Sequence, residues 1–243
     1  MAIAYFGSAS TPTDNGTNAL ATTAVTPPGS MLKGDLVCLI AYERGNTSRA
    51  ISADGGQTWN LIGTSNGTTN SSSFWWCTFN GTWGANPSVL FGGTTCNNVV
   101  MHVFRPSTVD HYWINRQGFV GTQVAPSSPF TCTTVSNNSA PKGASSVTLA
   151  FFITDDDNTW GTLTGAGFVI TGNGQYRNTS GSDMSSFYAH LILSTSASIP
   201  DMGANQATLG GDPYTRWSYT FEEISILNKL IKPVEAVRRA ARW

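Results

Sequence analysis

Apolar residues run almost without interruption through several short stretches of the chain, and these stretches predict buried β-strands. The first, residues 34–42, follows a Pro-Pro-Gly turn and reads Gly-Asp-Leu-Val-Cys-Leu-Ile-Ala-Tyr. An apolar run of this length next to turn residues is typical of a strand covered on both faces. The same reasoning predicts strands over residues 74–79, 99–104, 146–153, 187–193 and 217–221. With weaker runs included, we expect five or six strands per half and no amphipathic helix before residue 222.

The pattern of strands and turns occurs twice. A set of residues in the first half recurs in the same order about 110 residues later; the set is Val25, Lys33, Gly34, Val37, Trp59 and Gly63, followed by Val135, Lys142, Gly143, Val147, Phe168 and Gly172. The sequence therefore predicts an all-β protein, an antiparallel, jelly-roll-like β-sandwich with pseudo-repeats over approximately residues 20–105 and 130–222. We favour one sandwich over residues 1–222, and two tandem sandwiches stay open as the alternative.

The segment between the halves, residues 106–129, is not expected to be a flexible linker. It contains large apolar side chains that favour burial, namely Tyr112, Trp113, Ile114, Phe119 and Val120. Flexible linkers are instead rich in Gly, Ser or Pro.

Composition narrows the functional classes. Charged residues make up 11% of the chain, hydrophobic residues 40%, and the net charge is -1. Disordered chains combine low hydrophobicity with high charge, so we do not expect this chain to be disordered. Nucleic acids and anionic membranes attract basic surfaces, so we expect neither as a partner. The N-terminus shows no signal peptide, which predicts synthesis in the cytoplasm. The spacing of the four cysteines, Cys38, Cys77, Cys96 and Cys132, favours buried thiols over zinc or disulfides, and we expect no cofactor.

The last 21 residues, 223–243, differ from the rest. They carry a net charge of +3 and the remainder carries -4. Pro233 is well placed as the first residue of a helix over 233–242, which is too short to persist alone in water. We therefore expect this segment to dock, either on its own sandwich or on a neighbouring subunit, through Ile231, Val234, Val237, Arg238, Arg239, Arg242 and Trp243.

The most specific local motif is a turn of the form Ser-x-Asp-x-Gly-x-Thr-Trp. Its residues are Ser52, Asp54, Gly56, Thr58 and Trp59. It resembles the Asp-box of sialidases and related β-propellers, in which the box is structural and lies away from the active site. The physical roles we expect are a carboxylate that accepts backbone N–H bonds, glycine at positive φ and an aromatic ring that anchors the outgoing strand. The equivalent in the second half, residues 163–168, lacks the aspartate.

Candidate catalytic or metal-binding groups are few. Asp155 and Asp157 are weak candidates for Ca²⁺, but their spacing is not that of an EF-hand and a solvated turn is the default. The histidines His102 and His190 lie within predicted strands, which favours packed or surface residues over catalytic bases. Glu222 and Glu223 are adjacent, and adjacent strand residues point to opposite faces. We therefore predict no catalytic site and no enzymatic activity.

Aromatic residues give a second hypothesis, glycan or partner binding. Trp75, Trp76, Tyr112 and Trp113 are the candidates. An exposed tryptophan can stack on a sugar or anchor a subunit contact, whereas the simpler interpretation is packing in the core and in an interface.

As a whole, the chain resembles bacteriophage virion proteins with jelly-roll or related β-sandwich folds. The resemblance is carried by Lys33-Gly34-Asp35 before a buried strand, by residues 56–59 and 74–77, and by residues 87–91 and 100–105. It implies a structural role in a virion, as capsid decoration, head fibre or tail component. The implied partners are other virion proteins and further copies of the chain, and a cell-surface glycan is an additional candidate. The alternatives are a glycan-binding receptor-recognition module and a glycoside hydrolase related to Asp-box proteins.

Overall fold

A computed structural model of the chain describes residues 2–10, 21–92, 96–108, 110–124, 130–132, 145–178, 183–195, 197–206 and 213–226. These residues are almost entirely β-strand and turn, which confirms the predicted all-β sandwich class. The predicted C-terminal helix over 233–242, and all the proposed anchor residues from Ile231 to Trp243, lie outside the described residues.

Within the described part of the first half there are eight strands. They are β1 Ala4–Ser10, β2 Thr22–Ala24, β3 Leu36–Arg44, β4 Arg49–Ala53, β5 Asn60–Asn66, β6 Asn70–Thr78, β7 Ser88–Phe91 and β8 Asn97–Arg105.

The described part of the second half also has eight. They are β9 His111–Val124, β10 Phe130–Cys132, β11 Ser146–Thr154, β12 Trp160–Thr164, β13 Val169–Asn178, β14 Met184–Leu193, β15 Met202–Gln206 and β16 Tyr214–Ser225. The expected number of strands, five or six per half, was too low. Strands of three to five residues, such as β2 and β4, are too short to show an alternating pattern in the sequence.

The two halves have the same topology. In the first half, sheet A has the order β1-β8-β3-β6-β5 and sheet B the order β2-β7-β4. In the second half, sheet C has the order β13-β14-β11-β16-β9 and sheet D the order β10-β15-β12. The described part of each half is thus an eight-stranded, antiparallel jelly roll whose fifth strand extends the larger sheet. This confirms the two pseudo-repeated halves.

The four sheets stack in the order B, A, C, D. Alternate residues of β3 point to opposite sides, so that Leu36, Cys38, Ile40 and Tyr42 share a hydrophobic cluster with sheet C. Val37 and its alternate neighbours on β3 pack instead against sheet B. Because β11 divides its side chains in the same way between sheets A and D, both central strands are covered on both faces. We call the interface between sheets A and C the seam.

The seam has approximate two-fold symmetry. Strand β1, the first of its half, contacts β13, the fifth of the other half, and β5 reciprocally contacts β9. This reciprocity is characteristic of an isologous interface, here formed within one chain. Hydrogen bonds that cross the seam include Tyr42 Oη to Ser186 Oγ at 2.9 Å, Trp217 Nε1 to Ser72 Oγ at 2.9 Å, and Asn70 Nδ2 to the Pro213 carbonyl at 3.1 Å.

The structure corrects the register of the sequence repeat. Val37 faces sheet B, whereas Val147 faces the seam, so the two residues are not equivalent although the repeat aligned them. The partner of Val147 in the first half is Leu36, because a shift of one residue moves a side chain to the opposite face of its sheet. Residues 111–124, which belong to the segment between the halves, form the edge strand β9. The domain division after residue 222 stays a prediction, and strand β16 continues to Ser225.

Candidate functional site

The Asp-box-like turn joins β4 to β5 at the surface of the first half. The exposed Asp54 carboxylate accepts a hydrogen bond from the Gly56 backbone N–H at 2.8 Å, and Gly55 and Gly56 have φ values of 65° and 81°. Trp59 packs on the first-half core and donates its indole N–H to the Asp54 carbonyl at 2.9 Å. Ser52 Oγ lies 2.7 Å from Ser88 Oγ of β7, and Thr58 is exposed. The motif thus forms a compact hairpin turn.

A buried glutamine links this turn to the loop that follows β6. Gln57 Nε2 donates to the Thr82 carbonyl at 2.7 Å, and Gln57 Oε1 accepts from the Asn80 backbone N–H at 3.0 Å. Asn80 Nδ2 in turn donates to the Gly56 carbonyl at 2.7 Å. The motif's pattern gives no signal for Gln57, since the residue at this position is unspecified, yet Gln57 is the side chain that holds the two loops together.

An open pocket of about 470 Å³ lies beside the same turn. Its lining combines polar and backbone groups from both loops, namely Ile51, Ser52, Ala53, Asp54, Gly55, Gly56, Gly84 and Ala85. Close to it, Trp83 stacks between Trp59 and Phe79, with ring-centroid distances of 6.4 and 5.1 Å. An accessible carboxylate, a hydroxyl and exposed glycine backbone are groups that can hydrogen-bond a polar ligand.

The four aromatic residues predicted to bind a glycan or partner lie apart from this pocket. Trp75 is buried in the core between sheets A and B. Trp76 and Trp113 pack in the seam, where Trp113 also donates its indole N–H to the Gly34 carbonyl at 2.9 Å. Tyr112 is half-buried on edge strand β9, opposite Ile224. Three of the four therefore contribute to packing.

The acidic run after β11 is partly inside the fold. Asp155 and Asp156 are buried, and Asp156 Oδ1 accepts from Gln206 Nε2 at 2.8 Å and from the Asn158 backbone N–H at 3.0 Å. The Asp157 carbonyl accepts from Arg177 at 3.3 Å. Within the described ranges, no group of three or more His, Cys, Asp or Glu side chains is arranged to hold a metal ion.

Glu222 and Glu223 point in different directions and have separate partners. Glu223 Oε1 accepts from the backbone N–H and the hydroxyl of Ser107, at 2.6 and 3.1 Å, and lies 3.4 Å from His111 Nδ1. Glu222 pairs with Arg116. Thr108 Oγ1 and Glu223 both approach Nδ1 of His111, whereas a nucleophile–base–acid relay requires contacts to both ring nitrogens. The contacts of Ser107 and His111 with Glu223 hold the β8–β9 connection against β16.

A buried ion pair that no sequence motif indicates lies at the end of β3. Arg49 Nη1 is 3.0 Å from Glu43 Oε1, and both side chains have an exposed fraction of 0%. The same guanidinium bonds Ser71 Oγ, Ser73 Oγ at 3.1 Å and Asn66 Oδ1 at 3.2 Å. Burial lowers the pKa of Arg49 and the Glu43 carboxylate opposes this shift. The network ties the β3–β4 connection to β6.

Two histidines lie inside the seam. His102 is fully buried, and burial lowers its pKa to about 3, with a further contribution from His190. Burial also lowers the pKa of His190 to about 4. Aromatic rings surround both: His102 lies 4.7 Å from Tyr188, and His190 stacks on Tyr5 at 5.0 Å, between ring centroids. At neutral pH both imidazoles are therefore uncharged core residues.

Comparisons with known proteins give no relative for this arrangement. No protein-family model matches the chain, no curated protein matches it, and no solved structure matches it. Among the described residues there is also no helix long and apolar enough to cross a membrane. The class that the fold defines is a tandem jelly-roll protein with an internal two-fold pseudo-symmetry.

Proposed function

We propose that the chain is a non-enzymatic structural component of a bacteriophage virion, as capsid decoration or as part of a head fibre or tail. Jelly rolls are typical of viral capsid and lectin domains, and the fold is compatible with this role. In the proposed mechanism, a rigid stack of sheets covers or bridges other virion subunits, and the cationic segment 223–243 binds a neighbouring subunit through its residues beyond β16. The protein is made in the host cytoplasm and assembles there.

The observation that carries the proposal is that buried carboxylates pair with arginine side chains and hold neighbouring segments of the fold together. Arg105 binds the buried Asp35 carboxylate at 3.1 and 3.2 Å, and Asp35 also accepts from the Leu32 backbone N–H at 2.8 Å. Arg49 and Arg116 hold Glu43 and Glu222 in the same way. Each of these carboxylates is already occupied by a charged partner that fixes the orientation of its loop, which favours a scaffold over a reactive site.

The test is incorporation into particles. We expect mass spectrometry of particles purified from cells that encode the chain to detect it in a fixed ratio to the major capsid protein. A chain ending at residue 226 keeps β16 intact, including the buried Glu223. We expect it to fold, as measured by circular dichroism, and to be lost from particles.

The control for this truncation is a full-length chain in which Arg238, Arg239 and Arg242 are replaced by Lys, which keeps the charge. It should still be incorporated, and replacement of the same residues by Glu should abolish incorporation. Particles that lack the protein would contradict the virion proposal, and full incorporation of the truncated chain would contradict the anchor.

A second candidate function is glycan binding, and the pocket beside the Asp-box-like turn favours it. Asp54 can accept hydrogen bonds from sugar hydroxyls, and the neighbouring Trp59 and Trp83 supply aromatic surface. A glycan array would detect binding by the wild-type chain, and Asp54→Ala should reduce it by at least tenfold. Asp201→Ala, a change of an exposed aspartate in the second half, is the matched control. An array without signal would remove this candidate.

A further inference from the structure

The seam contains a cluster of neutral titratable side chains that the proposed function does not use. It comprises Tyr5, His102, Tyr176, Tyr188 and His190, which come from strands β1, β8, β13 and β14 of both halves. Their rings are in mutual contact: His102 lies 6.4 Å from both Tyr5 and Tyr176, in addition to its close contact with Tyr188. We call this group the histidine cluster. It occupies the part of the seam where β1 and β8 of sheet A meet β13 and β14 of sheet C.

Neither ring nitrogen of His102 has a hydrogen-bond partner among the described residues, and the same is true of His190 Nδ1. The other titratable groups of the seam core are the phenols of Tyr5, Tyr42, Tyr176, Tyr188 and Tyr219 and the thiols of Cys38 and Cys96. Cys38 is the cross-strand neighbour of His102. Burial raises the pKa of Tyr5 to about 12 and that of Cys38 well above its usual range. All these groups are neutral in acid, so none of them offers a negative charge to a protonated imidazole.

The outer cores differ from the seam in this respect. The cluster between sheets A and B and the cluster between sheets C and D consist of aliphatic, aromatic and sulfur-containing side chains, without histidine among their described members. Protonation of buried imidazoles therefore acts on one of the three cores. A charge placed in an apolar interior without a partner is costly, and the cost is removed when the interface opens to water.

We propose that the seam is an acid-labile junction, which parts when His102 and His190 take up protons while each jelly roll keeps its own outer core. The closed seam holds both imidazoles neutral, and the open seam lets them titrate near their ordinary pKa of about 6.5. The seam is thus fully stable above that pH. It loses stability as the pH falls toward about 4, where His190 titrates in the closed form, and about 3, where His102 does.

The cysteines supply a readout for each core. Cys38 lies on the seam face of β3, whereas Cys77 lies on the outer face of β6, toward sheet B. The full chain is incubated at pH values from 7.5 to 3.5 with 4,4′-dithiodipyridine, a disulfide reagent that reacts with thiols in acid. Peptide mass spectrometry then gives the labelling rate of each cysteine.

As the pH falls below about 6.5, we expect the labelling rate of Cys38 to rise. Each histidine that takes up a proton contributes up to about a tenfold increase per pH unit, whereas the labelling rate of Cys77 should stay low. His102→Phe keeps a ring in the histidine cluster but cannot be protonated. The rise of the Cys38 labelling rate should therefore lose the factor that His102 contributes, about tenfold per pH unit. His190→Phe should have the same effect and serves where His102→Phe does not fold. His111→Gln, which changes the histidine outside the cluster, should leave the Cys38 profile as in the wild type.

Two results would overturn the proposal. One is a simultaneous rise of Cys38 and Cys77 labelling, which would indicate global acid unfolding. The other is an unchanged Cys38 profile in both phenylalanine variants.

Discussion

The two halves solve the same packing problem with different chemistry. Glu43 pairs with Ser71 across β3 and β6, and Thr154 pairs with Ser185 across β11 and β14, so these positions are equivalent. The next strand begins at Arg49 in the first half and at Trp160 in the second. Arg49 bonds Ser71 Oγ, and Trp160 Nε1 bonds Ser185 Oγ at 3.1 Å. A guanidinium in an ion pair and an indole therefore occupy one position of the jelly roll.

The jelly-roll topology therefore requires that the side chain at this position fills the space and forms hydrogen bonds. It does not require that the side chain is charged. In the first half the ion pair and hydrogen bonds from Arg49 to serine and asparagine side chains oppose the desolvation of two charges. In the second half Trp160 stacks on Phe152 at 5.8 Å, and Gln206, its partner across β12 and β15, also donates to Ser185 Oγ, at 3.2 Å. Replacing a buried ion pair by well-packed apolar groups is often neutral or stabilising, so we expect the arrangement of the second half to be as stable as that of the first.

The largest expected effect comes from breaking the ion pair on one side. Arg49→Trp leaves the Glu43 carboxylate buried without its partner and should lower the free energy of unfolding by about 3–5 kcal/mol. The double variant Glu43→Thr, Arg49→Trp installs the pair that the second half uses and should recover most of this loss. Urea denaturation followed by fluorescence measures both. If the double variant is no more stable than Arg49→Trp, the two pairs are not interchangeable at this position of the jelly roll.

A second contrast concerns the glycines of the two equivalent turns. Gly165 has a φ of 123°, and a Cβ there would lie 2.6 Å from the Asp201 carbonyl oxygen; at Gly55, with a φ of 65°, it would lie 2.7 Å from Trp83 Cε3. We expect Gly165→Ala and Gly55→Ala each to cost about 1–3 kcal/mol, because a Cβ would meet backbone at both positions. The larger loss is expected at Gly165, because its φ lies farther from the left-handed region near about 57° that alanine can adopt. Thermal unfolding measures the shift. Gly29→Ala, whose Cβ would meet nothing within 4 Å, is the control and should be near neutral.

The smallest effect is expected at the aspartate that one turn has and the other lacks. Asp54→Ala removes one hydrogen bond from an exposed carboxylate to the Gly56 backbone N–H and should cost at most about 1 kcal/mol. Chemical denaturation is again the measurement, with Asp110→Ala, a change of an exposed aspartate on the β8–β9 connection, as the control. A loss above about 2 kcal/mol would show that Asp54 does more than cap its turn.

Apolar runs were sufficient to predict the central strands. The run over residues 146–153 corresponds to β11, Ser146–Thr154, and the run over residues 34–42 overlaps β3, Leu36–Arg44. Strand β6 was predicted only from residue 74, although it begins at Asn70. Its first four residues, Asn-Ser-Ser-Ser, are polar and yet buried, because they bond side chains and backbone elsewhere in the fold, such as Arg49 and Trp217.

Functional features were harder to predict, for a physical reason. The Asp-box-like turn is local, so its residues and its hairpin could be read from spacing alone. The histidine cluster depends on sheets A and C meeting face to face, which brings together residues such as Tyr5 and His190 that lie far apart in the chain. Alternation places His102 on one face of β8 but does not state what covers that face.

The pseudo-two-fold stack has a genetic consequence. In a symmetric homodimer every substitution occurs twice, so both outer faces must change together. Here one chain encodes both halves, and a substitution such as one at the exposed Leu90 of sheet B alters a single outer face. Sheets B and D can therefore acquire different binding specificities independently, while residues in the seam remain constrained by the half they contact.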